Sequence, residues 1–454
     1  MREVRFKKVL TKWDTLSLAF GATIGWGWVV MSGVWIETAG SLGAVLAFAA
    51  GGVMILFVSL TYAELTSALP ECGGEHVFSK RALGYNWSFV CTWALILGYL
   101  GVTAFEACAL PGVFSCLIPN FLQGYLYTVD GYDIHLTYLL VGSGSAAVIT
   151  LVNYVGVKPS AVLQTAMALM VALVGVLLLV SSGFAGQPEN ARPLFTDGVS
   201  GFLAVAVMTP FSLMGFDVVP QAAEELNIPS RNIGKIILLS VVLGVVFYAM
   251  IIIAVSVMLS HGEIQASELV TADALDKALG GTRAGSILLV AGGAAGIISS
   301  WNAFVLGGSR CIFVMADSGM LPVFFAKIHP KHKTPSNAVL LVGSLSAAAP
   351  FLGKSLLTWV SNAGSFAIVI AYSIVALSFL ALRRKEPELS RPFRVKYAGL
   401  VGGASLVMTL IMLLLYLPGF PSGMCREEWR IVGLWALLGA VFYRAGKRGP
   451  RADG

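Results

Sequence analysis

Two apolar stretches carry residues that an unbroken membrane helix would not favour. The first reads Gly21-Ala22-Thr23-Ile24-Gly25-Trp26-Gly27, with Gly33 further on. Each glycine in a helix interior costs about 1 kcal/mol relative to alanine. Gly21, Gly25 and Gly27 therefore either weaken the helix or let a neighbour pack close against it. The second stretch reads Pro210-Phe211-Ser212-Leu213-Met214-Gly215-Phe216-Asp217, with Pro220 behind it. Proline removes an internal hydrogen bond, so both stretches are expected to break near the middle. A break frees backbone N–H groups and exposes the positive end of a half-helix dipole, and together these hold an anion. The chemistry in view is recognition rather than bond making: a carboxylate near Ile24 to Gly27, with the second stretch opposite.

A third apolar stretch carries Glu106. An acidic side chain at membrane depth costs about 2.5–3.5 kcal/mol on insertion scales and needs a partner, a water-filled cavity or a proton. Tyr99, Thr103 and Glu106 are spaced to share one helix face. Two readings of Glu106 stay open. It contacts a ligand's positive charge or carries a proton, or it is a structural group bonded to serine or backbone of an adjacent helix. Asp217 is a second candidate for coupling or charge recognition, although its place beside the break also suits a cap on the half-helix that follows. Glu224 and Glu225 come next, where a gate or an ion pair to a basic loop is expected. His261, His329 and His332 fall in loops without metal-ligand spacing.

The elements that must position these residues are membrane helices. The 454 residues are 57% hydrophobic and only 12% charged, with mean hydropathy +0.82. Soluble proteins carry about 25% charged residues, so lipid must cover much of this surface. A span needs about 20 apolar residues. Twelve segments qualify, at 15–37, 43–64, 88–118, 136–154, 160–183, 200–220, 234–260, 284–314, 337–352, 355–382, 398–418 and 429–445. No long polar stretch separates them, so residues 1–454 read as one polytopic membrane domain. Backbone groups in lipid must be satisfied internally, which makes this an all-α membrane protein. The breakable segments are the first and the sixth. That spacing fits two inverted five-helix repeats, about 12–183 and 200–382, followed by two extra helices over 398–445.

Charge placement supports the span count. With the N-terminus in the cytoplasm, 24 of the 30 lysines and arginines fall in inside segments and six outside. The positive-inside rule then places both termini in the cytoplasm. The net charge of +6 is accounted for without nucleic acid. The six cysteines form no CxxC pair, and no cleavable signal, phosphate loop or HExxH motif is present. No cofactor and no metal is expected. Gradient-driven movement of a small solute across the lipid bilayer is favoured over enzyme chemistry. A channel, or a membrane receptor or intramembrane enzyme for the same solute, is the alternative.

Short motifs along the chain then carry a resemblance. Gly21, Ile24, Gly25 and Gly27 give G-x-x-I-G-x-G; Tyr62-Ala63-Glu64-Leu65 precedes Pro70, Gly73, Gly74 and His76, and Arg81-Ala82-Leu83-Gly84 follows. Gly215-Phe216-Asp217 precedes Ala223-Glu224-Glu225 and Asn227 to Arg231. Ser309-Arg310 precedes Met315-Ala316-Asp317, and Leu382-Arg383-Arg384 precedes Arg391-Pro392-Phe393. In this order, over residues 12–396, the chain resembles permeases of the amino acid–polyamine–organocation (APC) superfamily.

The resemblance implies a twelve-helix fold with broken helices 1 and 6 and a secondary transporter of amino acids or organic amines in the cytoplasmic membrane, working by proton symport or exchange. It implies that backbone N–H groups of Ile24, Gly25, Trp26 and Gly27 hold a carboxylate, and that carbonyls near Phe211, Ser212 and Leu213 receive an amine, with Phe211 as a lid. Ala94, Leu95, Gly98 and Tyr99 would line the side-chain pocket, and Ser300, Asn302, Ser361 and Asn362 would add polar groups. Three departures stand out. Trp26 occupies a position that is usually small and either fills the pocket or reaches toward a neighbouring helix. Leu169-Met170-Val171-Ala172 lacks the fifth-span lysine of some relatives. Glu106 stands within the third span. Some members of the superfamily act as dimers or with a single-span partner, and Cys425 is the candidate thiol for a partner disulfide.

Overall fold

The computed structural model describes residues 6–267, 269–420 and 423–448. Arg2, Arg5 and Arg451 of the charge count lie outside the described residues. The first helix, α1 (Lys12–Thr23), starts at a capping box between Thr11 and Asp14. It stops at Ile24, and the chain resumes as α2 (Gly27–Val30) and α3 (Ser32–Ala39). Next come α4 (Ser41–Ala68), the short α5 (Glu75–Leu83) and the long α6 (Tyr85–Leu117). After them, α7 (Leu136–Val155) and α8 (Val157–Ala185) are parted only by Gly156. The second interruption separates α9 (Gly198–Ser212) from α10 (Val218–Gln221). The chain continues through α11 (Ser230–Met258), α12 (His261–Ala266), α13 (Val270–Ala278) and α14 (Ala284–Asp317). It ends with α15 (Ser336–Ala348), α16 (Lys354–Lys385), α17 (Ala398–Leu415) and α18 (Arg426–Arg448).

Among the described residues, eight helices are long and apolar enough to cross a membrane: α4, α6, α7, α8, α11, α14, α16 and α17. Helices α9 and α15 are apolar but shorter, and a 3-10 turn over Ala349–Leu352 prolongs α15. The other two segments of the sequence reading are the interrupted α1–α3 and α18, whose first turn is acidic.

One element departs from an all-helical reading. Between α6 and α7, β1 (Tyr125–Val129) pairs antiparallel with β2 (Tyr132–His135). Asp130 and Gly131 form the turn, with φ of 50° and 76°. An Asp-Gly pair suits such a turn because both central residues need positive φ. The Tyr127 hydroxyl donates to the Phe351 carbonyl at 3.0 Å and fixes the hairpin against the turn after α15.

The charged residues of the sequence motifs meet in pairs on the side of the amino-terminal segment. Glu64 on α4 takes Arg383 at 2.5 Å and Arg391 at 3.1 Å, which ties the segment after α16 to α4. Arg81 pairs with Glu386 at 2.6 Å. Arg310 on α14 pairs with Glu225 at 2.8 Å, each side chain 1% exposed. The partner of Glu225 is thus a buried arginine within a long helix, not the basic loop expected from the sequence, because α14 runs behind the second interruption. The segment before α1 closes over this pair. Val9 and Leu10 donate to the Glu225 carbonyl at 2.9 and 3.0 Å, Leu10 forms a parallel bridge with Leu226, and Phe6 is buried against Phe313.

Candidate functional site

The two interruptions lie against each other. At the second, Pro210 sits in the last turn of α9, and the Leu213 N–H bonds back to the Thr209 and Pro210 carbonyls. Gly215 then adopts φ +122°, a region that L side chains rarely enter. A Cβ there would stand 2.6 Å from the Ala22 carbonyl carbon and 2.7 Å from Thr23 N. Only glycine lets the second break press on the first. At the first break, α2 starts at Gly27, so the N–H groups around Gly25 to Gly27 sit at a helix start, where no partner exists within the helix. The Thr23 carbonyl accepts from the Tyr248 hydroxyl at 3.4 Å.

Beside the breaks is a cavity of about 630 Å³. Its walls come from α1 to α3, α6, the end of α9, α11, α14, the first half of α16 and the start of α18, so it lies away from the amino-terminal segment. Of the residues singled out in the sequence, it gathers Gly25, Trp26, Gly27, Gly98, Glu106, Phe211, Ser212, Ser300, Ser361 and Asn362. Phe211 is 48% exposed at the cavity wall. Trp26 lines the cavity, and its ring lies on Gly293 of α14.

Glu106 is buried, and Ser300 hydrogen-bonds to it. Its Oε2 has no hydrogen-bond partner, and its Oε1 stands 2.9 Å from where a Cβ on Gly25 would be. The carboxylate is therefore against the first break and only partly satisfied.

Other expected site residues lie outside this lining. Ile24, Ala94, Leu95 and Leu213 are buried in the core. Asn302 belongs to a closed amide cluster, accepting from Asn153 and Ser160 at 2.9 Å each and donating to Gln164 at 2.8 Å. Tyr99 shares a helix with Glu106 but turns away from the cavity. Its hydroxyl donates to Asp217 Oδ2 at 2.7 Å, and Tyr372 donates to Oδ1 at 3.1 Å. Asp217 Oδ1 also accepts from the Gly215 N–H at 2.9 Å, while its side chain makes no capping bond to α10. Asp217 thus reaches back across the break rather than forward along the next half-helix. With Gln221 donating to buried Glu75, and the rings of Tyr62, Phe216 and Tyr372 in mutual contact, this polar and aromatic layer fills the space on the amino-terminal side.

Sequence reasoning missed Glu428. It lines the cavity from the first turn of α18, and its Oε1 accepts from Asn362 at 2.6 Å. The sequence held no signal that separates it from its neighbour Glu427, a surface acid paired with Arg430 at 3.6 Å.

Comparison with known proteins agrees with this architecture. The profile of the family described as "Amino acid permease" matches residues 10–441. The chain is 27% identical to a branched-chain amino acid permease of Bacillus subtilis (strain 168), over 97% of this chain and 93% of the relative. It is 27% identical to a methylthioribose transporter of the same organism, over 96% and 92%. It is 28% identical to a vacuolar cationic amino acid transporter of Arabidopsis thaliana, over 83% of this chain and 63% of the relative.

Proposed function

The chain belongs to the amino acid permease family, within the APC superfamily, and from that premise we propose that it carries an amino acid or a small organic amine across the cytoplasmic membrane by proton symport or exchange. The observation that carries this reading is the meeting of two interrupted segments at one cavity, with the buried carboxylate of Glu106 beside the first. The relatives' names point to branched-chain amino acids, methylthioribose and cationic amino acids. All are small solutes, and a cavity of about 630 Å³ suits that size.

In this reading twelve spans form two inverted five-helix repeats, about 12–183 and 200–382, with two more helices over 398–445, all in one domain. Its support is the recurrence of an interruption at the start of each half, in α1–α3 and α9–α10. Both termini face the cytoplasm, which the lysine and arginine distribution favours. The cavity then opens outward, and the Arg310–Glu225 pair and the Asp217 layer close the inner side. The N–H groups of Gly25 to Gly27 hold the solute's carboxylate; Ile24, expected from the sequence to join them, has its N–H taken by the Phe20 carbonyl at 3.1 Å. Carbonyls at Phe211 to Leu213, with Glu106, take its amine, and Ser300, Ser361 and Asn362 shape the remaining wall. With no lysine at 169–172, the proton in this reading is carried by Glu106.

A thermal-shift screen of the detergent-purified protein tests the solute. A ligand that binds only the folded state stabilises by about 2.7 kcal/mol at a hundredfold excess over Kd. Amino acids are expected to raise the midpoint and their decarboxylated partners not to. If amines alone raise it, the carboxylate assignment at the first break is wrong and Glu106 becomes the main recognition group. Counterflow of labelled solute in proteoliposomes tests the mode, because a channel or receptor would show no trans-stimulation.

A further inference from the structure

Among the described residues, two charged side chains line the cavity, and both are carboxylates. Glu106 comes from α6, beside Gly25 and Ser300. Glu428 comes from α18 and stands against α16. The two are 3% and 6% exposed. Oε2 of Glu106 is out of contact with water and has no hydrogen-bond partner. Glu428 is oriented without being neutralised: Oε1 accepts from Asn362 at 2.6 Å and Oε2 from the Cys425 N–H at 2.8 Å. Neither donor brings a positive charge, and the nearby Arg430 pairs with Glu427 instead. A carboxylate offers about four acceptor positions, so the two contacts leave room for a further donor. A buried charge is stable only when it is paired. A cavity with a carboxylate on each of two walls and, among the described residues, no lysine, arginine or histidine is completed by a solute that brings the positive charge.

We propose that Glu428 is a second cation-recognition group of this cavity, and that the solute carries two separated positive charges, as a diamine or an amino acid with a basic side chain does. The proposal rests on the permease reading and narrows its solute. One ammonium group meets Glu106 beside the first break, and the other meets Glu428 across the cavity. A solute of equal length with an apolar end leaves Glu428 unmatched, and that mismatch is the source of selectivity.

The experiment is counterflow in proteoliposomes holding the full chain, inhibited by isosteric pairs in which a methyl replaces the terminal ammonium: lysine against 2-aminoheptanoate, and cadaverine against hexylamine. The dibasic member of at least one pair is expected to inhibit at a concentration at least tenfold lower. E428Q is expected to bring that ratio to within threefold of one. A ratio near one in the wild type, with counterflow intact, overturns the proposal and leaves the permease reading standing. A tenfold ratio that survives E428Q also overturns it. If none of the four solutes competes and no amino acid or amine drives counterflow, the permease reading itself fails. Should E428Q not fold, E428D keeps the charge but withdraws it by one methylene, and an unchanged ratio there counts against the proposal.

Discussion

Replacing Arg310 with methionine should release the side of the protein that the buried ion pair closes. The two guanidinium bonds to Glu225 go to one oxygen, Oε1, at 2.8 and 3.2 Å, and both side chains are 1% exposed. Removing one partner of such a pair costs about 3–5 kcal/mol because the remaining charge is left buried and unmatched. If that cost falls on the state with this side closed, its balance against the state with this side open shifts by about two to nearly four powers of ten, at 1.36 kcal/mol per decade. Cys311 is a reporter already in place: it is fully buried next to Arg310, with Sγ 3.2 Å from Gln221 Oε1. Its alkylation by N-ethylmaleimide, followed by peptide mass spectrometry, should accelerate by about 100-fold or more in Arg310→Met. Adding Glu225→Gln removes the stranded charge and should return the rate to within about tenfold of wild type. A wild-type labelling rate in Arg310→Met would refute the reasoning. So would a double variant no slower than the single one.

Three further outcomes follow from the same geometry. Gly215→Ala places a Cβ 2.6 Å from the Ala22 carbonyl carbon at φ +122° and should lower stability by about 1–3 kcal/mol in thermal unfolding; an unchanged midpoint would mean that the break relaxes freely. Gly25→Val directs its Cβ at the Glu106 carboxylate, 2.9 Å away, and should abolish the ligand-induced thermal shift while the ligand-free midpoint stays near wild type; an undiminished shift would remove Gly25 from the site. In the loop outside the spans, Lys277 and the Ser260 N–H and hydroxyl hold the Glu263 carboxyl down to about 2. A depressed acid stabilises above its ordinary range near 4.5 and loses that contribution as pH falls toward 2. The group is 47% exposed, so the effect should stay under about 1 kcal/mol. The protection factor of α12 amides, taken against intrinsic exchange at each pH, should therefore fall between these values, and Lys277→Met should move the change to higher pH; a flat profile in both proteins would contradict it.

The helices and their interruptions were legible because each depends on local composition. Apolar runs of about 20 residues read directly as α4, α8, α11 and their like, and Pro210, Gly215, Gly25 and Gly27 mark the two stops. The pairings were not legible, since they join residues far apart in the chain. Tyr99 was placed on the same face as Glu106 by helical spacing, but its hydroxyl is taken by Asp217, 118 residues away. Asn302 looked like a pocket residue by type, yet an amide surrounded by Asn153, Ser160 and Gln164 is already satisfied. Glu428 escaped notice because the acidic first turn of α18 reads as surface, and only the packing of α18 on α16 turns one of its two glutamates inward. The hairpin at 125–135 was passed over as a connection between spans, although its Asp-Gly turn was a usable signal.

The arm ahead of α1 sets a schedule for biosynthesis. Leu10 bridges to Leu226, and Phe6 packs on Phe313. These residues leave the ribosome 216 and 307 positions apart (226 less 10, 313 less 6). At about 5–20 residues per second, the arm waits roughly 11–43 s for its first partner and 15–61 s for its second. The arm is thus made well before the partners it docks on, and a nascent chain arrested before residue 226 should leave it open to protease. Docking of the arm then reports that the chain has been made at least as far as Phe313 of α14.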